Sequence, residues 1–420
     1  MSENVTLSNN ISATNPNIVL ISIDTLRADY LGCYGYSRAY TPNIDRLSNQ
    51  GILMHRTICS IPHTTPSHAS ILTGLYPKHH GSRDNAYPIQ PDIMTLPEYL
   101  ADYGYASAGF ASHFLLSPKC SRLNKGFDHY DVPLRPNYMT FTDQNGNSAI
   151  ISNKFVPAPE IVAKVRQWLP ESRQPFFLFI HFYDCHRPHR TQPPFKLMDL
   201  PGSYGREVAL VDQAVGHILS ALEESTTLPT YVHLVADHGE SLGEHNYRGH
   251  GTHLYFPSLE VPWIIGGLKT QLPKSITTNL AKTIDITPTI LHMADANANT
   301  SFDGENILDA ASSKTQYAMS ESASCYSSET GKRIRSVRND HYTLIYGPAS
   351  GIRELYDETN DPAELKNLFN MKHEIVTDLL AALEVWHSDD PGVDNKPENE
   401  LEPEILTELR SLGYVLESSD

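Results

Sequence analysis

Three short segments of the chain are almost wholly apolar and stop at or near an acidic residue. Asn17–Ile23 (NIVLISI) runs into Asp24, Phe176–Phe182 (FFLFIHF) is followed by Asp184, and residues 231–236 (YVHLVA) by Asp237. Runs of this length, rich in β-branched and aromatic residues, predict strands buried on both faces, as in a parallel sheet. Open α/β sheets bind ligands beyond the carboxyl ends of their strands, so the pattern delivers three acids to one functional edge. Apolar residues at helical spacing fill residues 41–50, 67–73, 95–103, 161–169, 207–224 and 288–293. This alternation predicts an α/β fold, a mostly parallel sheet flanked by helices. Past residue 313 the character changes. Residues 334–346 and 352–356 predict strands of a small antiparallel subdomain, 373–387 a helix, and 404–412 a last short helix ended by Gly413. The expected organisation is a disordered arm (1–16), a main α/β domain (17–313), a C-terminal α+β subdomain (314–387) and an acidic tail with a terminal helix (388–420).

Composition narrows the function classes. Across 420 residues, Lys and Arg total 32 against 49 Asp and Glu, a formal charge of −17. A nucleic-acid backbone or an anionic membrane surface is therefore not the expected partner. No apolar run approaches the roughly 18 residues of a membrane span, and the polar start lacks the pattern of a signal peptide. The five cysteines show no C-x-x-C spacing, which suits reduced thiols and a cytoplasmic location. The 20 His stand out beside 8 Met and 3 Trp. They cluster with carboxylates, which points to metal binding.

Four clusters carry candidate chemistry. In His63-Thr-Thr-Pro-Ser-His68, a hydroxyl at the start of a helix with Pro in its first turn lies where helix N–H groups favour negative charge. That suits a nucleophile attacking an anionic ester, although an N-cap has the same pattern. Asp237-His238-Gly239-Glu240 places two metal-ligand types side by side after a strand, with Gly letting the backbone turn away. Asp184-Cys-His186-Arg-Pro-His189 and the segment from His245 through His250 to His253 add ligands enough for a second ion, about half of these His being expected bystanders. With Asp24, the sets are expected to converge on one sheet edge.

The ordered landmarks Ile21-Ser-Ile-Asp24 through Gly35, Tyr40 through Leu47, Leu72-Thr-Gly-Leu-Tyr-Pro77, Asp237 through Glu240, Glu354-Leu-Tyr-Asp357 and Asn360-Asp-Pro362 resemble the sulfatase branch of the alkaline phosphatase superfamily. The resemblance implies that fold for the main domain and ester hydrolysis as its activity. It also exposes departures. Thr64 stands where sulfatases carry the Cys converted to formylglycine, so no formylglycine is expected. His68 replaces the Arg of that motif, and Thr25 the second Asp of an Asp-Asp pair. Thr nucleophiles are familiar in the superfamily's phosphodiesterases and phosphoryl transferases. The pattern, carried over position by position, implies one ion on Asp24, Thr64, Asp237 and His238. Coordination to a dication lowers the pKa of a Thr hydroxyl.

A second ion, clamping the other oxygen of an in-line displacement, is expected on Asp184 with His186 or His189, and His250 or His253; the assignment taken forward is Asp184, His189 and His253 to the ion and His186 and His250 to substrate. His68 is expected to orient Thr64 or the ester. The expected cofactors are thus one or two Zn or Mn ions rather than Ca. The expected partner is a small anionic ester, and the expected reaction is phosphoester hydrolysis through a covalent phospho-Thr64. The alternatives are a formylglycine-independent sulfuric ester hydrolase, a phosphoryl-type transferase, or a silent binding protein.

Overall fold

The computed structural model describes residues 15–132, 137–142, 148–153, 155–189, 202–309, 317–323, 333–391 and 403–411. The arm expected at 1–16, apart from its last two residues, lies outside them, as do Gly413 and most of the acidic tail. The central sheet consists of β1 (Asn17–Ile23), β2 (Gly51–Ile58), β3 (Ala106–Ala111), β4 (His129–Asp131), β5 (Phe176–Phe182), β6 (Thr230–Ala236), β7 (Glu260–Leu268) and β8 (Ser275–Lys282). They lie in the order β8-β2-β7-β6-β1-β5-β3-β4. β1 runs parallel to both β5 and β6, so the three acid-tipped segments are immediate neighbours. β7 runs against β2 and β6, making the sheet mixed.

Two cores explain the unbroken apolar strands. Ile18 and Leu20 pack on Ala69, Ile71 and Leu72 on one face. Val19, Ile21 and Ile23 pack with Ile161, Val165, Val208 and Val215 on the other. No strand face at the centre meets water, so polar alternation is absent.

The helices longer than one turn are α1 (Pro42–Asn49), α2 (Thr64–Thr73), α3 (Leu96–Ala101), α4 (Ala158–Trp168), α5 (Gly202–Ser225), α6 (Ile286–Met293), α7 (His373–His387) and α8 (Pro403–Ser411). α2 starts three residues before the predicted 67. Pro66 sits in the first turn, where a missing N–H costs no helical bond, and the ladder opens with Ser67 N–H donating to His63 O at 3.0 Å. Thr64 is therefore the first helical residue and not an N-cap. α5 likewise begins at Gly202, ahead of the expected 207.

The C-terminal unit is an antiparallel sheet of β9 (Ala318–Glu321), β10 (Arg335–Arg338), β11 (Tyr342–Gly347) and β12 (Ile352–Asp357). The segment read as one strand, 334–346, is two, because Asn339 Oδ1 accepts the N–H groups of His341 and Tyr342 and turns the chain. Val376, Leu379 and Leu383 of α7 cover Val337, Leu344 and Leu355. β9, too short to signal itself, touches the main domain: Ser320 Oγ donates to Cys59 O at 2.7 Å and Glu321 N–H to Ser60 O at 2.9 Å. The small sheet thus braces the loop that enters α2. Among the described residues, no helix is long and apolar enough to cross a membrane.

Candidate metal centre and active site

Asp24 leaves the end of β1 with its N–H donating to Phe182 O at 2.8 Å, as if the strand pairing continued. Thr25 then takes a left-handed φ of 55°, a conformation costing of order 1–3 kcal/mol for a β-branched residue. Two bonds hold it there. Thr25 N–H donates to Asp237 Oδ1 at 3.2 Å, and Tyr204 O–H on α5 donates to Thr25 O at 2.7 Å. This turn fixes the loop after β1 against the loop after β6.

One ligand atom each from Asp24, Asp237 and His238 lies within 4.8 Å of the other two, and all three residues are buried. Both carboxylate oxygens of Asp24, Oδ2 of Asp237, Nε2 of His238 and Oγ1 of Thr64 are buried without a hydrogen-bond partner. Each such atom costs about 1–3 kcal/mol if left so. His238 Nδ1 lies 3.0 Å from Gly239 O, so that nitrogen carries the proton and Nε2 offers its lone pair. Two carboxylates, an imidazole and a hydroxyl form a donor set suited to a divalent ion.

The electrostatics agree. Burial raises the Asp24 carboxyl to about 7, with His238 opposing and Glu240 adding to the rise. The Thr64 hydroxyl stands near enough to favour the ionised form, though not in hydrogen-bonding geometry. Burial, then the Asp24 charge, push Asp237 well above the carboxylate range. Two carboxylates so placed call for a cation.

Histidines form the wall of this centre. The His250 ring lies 4.3 Å from that of His238, 5.1 Å from His186 and 6.0 Å from His63, centroid to centroid. Burial lowers His186 and His250 well below the usual imidazole value. His250 Nδ1 lies 3.2 Å from Glu240 Oε1, and His63 Nδ1 lies 2.9 Å from Asp84 Oδ1, with both acids buried. Glu240 and Asp84 thus orient imidazoles beside the centre, roles that sequence spacing did not reveal. Glu240 was visible only as the residue closing the Asp237 motif.

The structure brings Asp24, Thr64, Asp237, His238, His186 and His250 together. It does not bring Asp184, His189 and His253 to the same point. Asp184 Oδ2 accepts the Ala158 N–H at 2.9 Å and so caps the start of α4. His189 faces Ser203 and Tyr204 on α5. His253 packs edge-on against Tyr247, with centroids 3.8 Å apart. Among the described residues, the Asp24 set is the one group of three or more such ligand atoms. The expected second ion therefore has no assembled site there.

His68, expected to orient Thr64 or the ester, reaches Thr64 through its backbone. Nδ1 contacts Thr64 O at 2.8 Å and Nε2 contacts Ser22 Oγ at 2.9 Å. With both nitrogens engaged, the ring positions the α2 start and does not touch the Thr64 hydroxyl.

Gly239 serves by size. Its φ is not left-handed, but a Cβ there would lie 2.0 Å from Pro257 O. The turning freedom expected of this Gly is thus not what the site uses. Gly239→Ala is expected to push the His238–Glu240 loop off Pro257, lowering thermal stability and metal uptake together; calorimetry with and without added Zn checks both.

A mixed α/β sheet with an Asp/Asp/His centre at the carboxyl ends of β1 and β6 is the fold that solved sulfatases share. The chain belongs to the sulfatase family, whose profile matches residues 16–296, with a second profile, N-sulphoglucosamine sulphohydrolase C-terminal, over 243–388. Uncharacterized sulfatase YidJ of Escherichia coli is 23% identical over 84% of this chain and 83% of its own length. N-acetylgalactosamine-6-sulfatase of Canis lupus familiaris is 28% identical over 54% of this chain, and the match spans 51% of that relative. Among solved structures, a 2-O GAG sulfatase superposes with a TM-score of 0.73 at 20% identity, covering 90% of this chain and 93% of its own. The phosphonate monoester hydrolase of Agrobacterium radiobacter gives 0.69 at 18%, covering 88% and 95%.

Proposed function

We propose that the protein is a metal-dependent hydrolase of singly charged phosphoesters, with Thr64 as the nucleophile. The observation that carries this is the buried Thr64 Oγ1, which lacks a hydrogen-bond partner at the start of α2 beside Asp24, Asp237 and His238. A divalent ion on those side chains supplies positive charge that acidifies the hydroxyl and offsets the charge of the ester. Thr64 Oγ attacks the phosphorus as the bond to the leaving oxygen breaks, and the hydroxyl proton leaves with the alcohol. Water then attacks the phospho-Thr64 phosphorus, the P–Oγ bond breaks, and a proton returns to Oγ.

Charge supports a monoanionic substrate. Two carboxylates balance one dication, Arg187 Nε lies 3.6 Å from the Glu240 carboxylate beside them, and His186, His238 and His250, held below the usual imidazole range by burial, are neutral near pH 7. A site of near-zero net charge suits a phosphodiester or phosphonate monoester better than a dianionic monoester. A sulfuric ester also carries a single charge, and the relatives named sulfatases favour it as the second reading. The reduced-thiol cytoplasmic location expected above remains part of the proposal.

The test is turnover of bis-nitrophenyl phosphate, nitrophenyl phenylphosphonate, nitrophenyl phosphate and nitrophenyl sulfate by protein stripped and reloaded with Zn or Mn. The expected result is turnover of the first two, with Thr64 carrying a nitrophenylphosphoryl group from the diester or a phenylphosphonyl group from the phosphonate, trapped by acid quench and located by peptide mass spectrometry. Cleavage of the sulfate alone transfers the assignment to the second reading. Product appearing on an added alcohol faster than on water marks a transferase.

A further inference from the structure

Beneath the metal centre lies a buried polar layer inside an otherwise apolar core. β1 and β5 pair with Ser22 opposite His181, and side chains alternate faces along a strand. Ser22 and Asp24, two apart, therefore share the face that packs on α2, and His181 shares it with them. Ser22, His68, His181, Asp24 and Asp237 are all fully buried, and Ser112 is 1% exposed. The His68 and His181 rings meet edge to face at 4.9 Å.

Each metal-facing carboxylate is backed by one of these imidazoles. His68 Nδ1 lies 3.5 Å from Asp237 Oδ2, and His181 Nε2 lies 3.5 Å from Asp24 Oδ2. The two differ in what else they do. His68 is tied to the Thr64 carbonyl and Ser22, whereas the hydrogen-bonding contact of His181 among the described residues is Ser112 Oγ, 3.3 Å from Nδ1, and Nε2 is buried without one. With Nδ1 accepting from the Ser112 hydroxyl, Nε2 carries the proton and faces Asp24. An N–H left without a hydrogen bond inside a core costs free energy, and the Asp24 carboxylate 3.5 Å away is the charged group that offsets part of that cost.

We propose that His181 is a positioning residue for the metal centre, holding Asp24 so that its oxygens face the ion, with Ser112 fixing the His181 tautomer. This rests on the reading of Asp24 as a metal ligand. A group that orients a metal ligand from behind typically changes metal affinity 10- to 100-fold when removed.

The experiment compares wild type with His181→Gln and His181→Phe by the midpoint of Zn or Mn uptake, followed as thermal stabilisation and as bound metal after gel filtration. Gln places an amide N–H near the position of Nε2, whereas Phe keeps the ring volume without a donor. His181→Phe is expected to weaken uptake about 10- to 100-fold while the metal-free protein melts no lower than wild type. His181→Gln is expected to stay within a few-fold of wild type. Unaltered uptake by His181→Phe, or equal loss in both variants, overturns the positioning role. A wild type that takes up no metal overturns the metal-centre reading and, with it, this one. A fold collapsed in His181→Phe but intact in His181→Gln leaves the Gln midpoint to decide: a loss of 10-fold or more overturns the proposal, and retention supports it.

Discussion

Thr64→Ala is expected to lower turnover of the best phosphoester by at least about 10³-fold, the scale seen when a nucleophile is removed, without loss of fold. The side chain lies in the first turn of α2, fully buried, and its hydroxyl makes no hydrogen bond of good geometry among the described residues. Removing it deletes an unsatisfied polar atom, so the metal-free variant should melt no lower than wild type, with a gain of up to about 1 kcal/mol. Thr64→Ser keeps the oxygen and is expected to remain active, losing only the rotamer restriction of the β-methyl. Rates for the three proteins, with melting curves beside them, separate a chemical role for Thr64 from a packing one. A Thr64→Ala protein that keeps turnover removes Thr64 from the reaction.

Asp24→Asn is expected to stabilise the empty protein and to abolish the gain from metal. Without an ion, Asp24 and Asp237 crowd two carboxyls into one buried space, and burial lifts Asp24 to about 7. The sign follows from linkage. An Asp with a folded pKa near 7 and an unfolded value of about 3.9 binds more protons folded than unfolded, so its contribution to stability falls as pH rises between those values. Metal-stripped wild type should therefore melt lower at pH 8 than at pH 5 in so far as Asp24 governs the difference, and Asn at that position should flatten the slope. Ion binding reverses the trend, because the ion takes the place of the proton and binds more tightly as pH rises. Melting temperatures across that pH range, with chelator and with Zn, test this; an Asp24→Asn protein with wild-type Zn stabilisation contradicts the ligand assignment.

The two experiments address different parts of one design. Unsatisfied atoms and left-handed Thr25 are local costs concentrated where a charged ligand is to be held, and the surrounding sheet makes them tolerable. The family assignment does not by itself supply the chemistry, since a match over residues 16–296 names no nucleophile. The chemistry has to be argued from the side chains of the site.

What the sequence by itself determined was the set of strand ends. An apolar run buried on both faces leaves no alternation, and an acid just beyond it falls at the edge where α/β sheets bind ligands; hence β1, β5 and β6 and the pair Asp24 and Asp237 were legible locally. The first Thr of the helix was legible too, as a hydroxyl before Pro. The fate of the remaining His and Asp depended on partners far away in the chain. Asp184 looks like a third strand-end ligand until Ala158, 26 residues earlier, brings the open N-terminus of α4 to it. His253 reads as a ligand until Tyr247 packs on it. His181 reads as one polar interruption in FFLFIHF, and only the register that sets Ser22 beside it, with Asp24 two residues on, gives it a function. Strand burial is a property of neighbours in sequence. A ligand's direction is decided by which backbone group or carboxylate the folded chain sets against it.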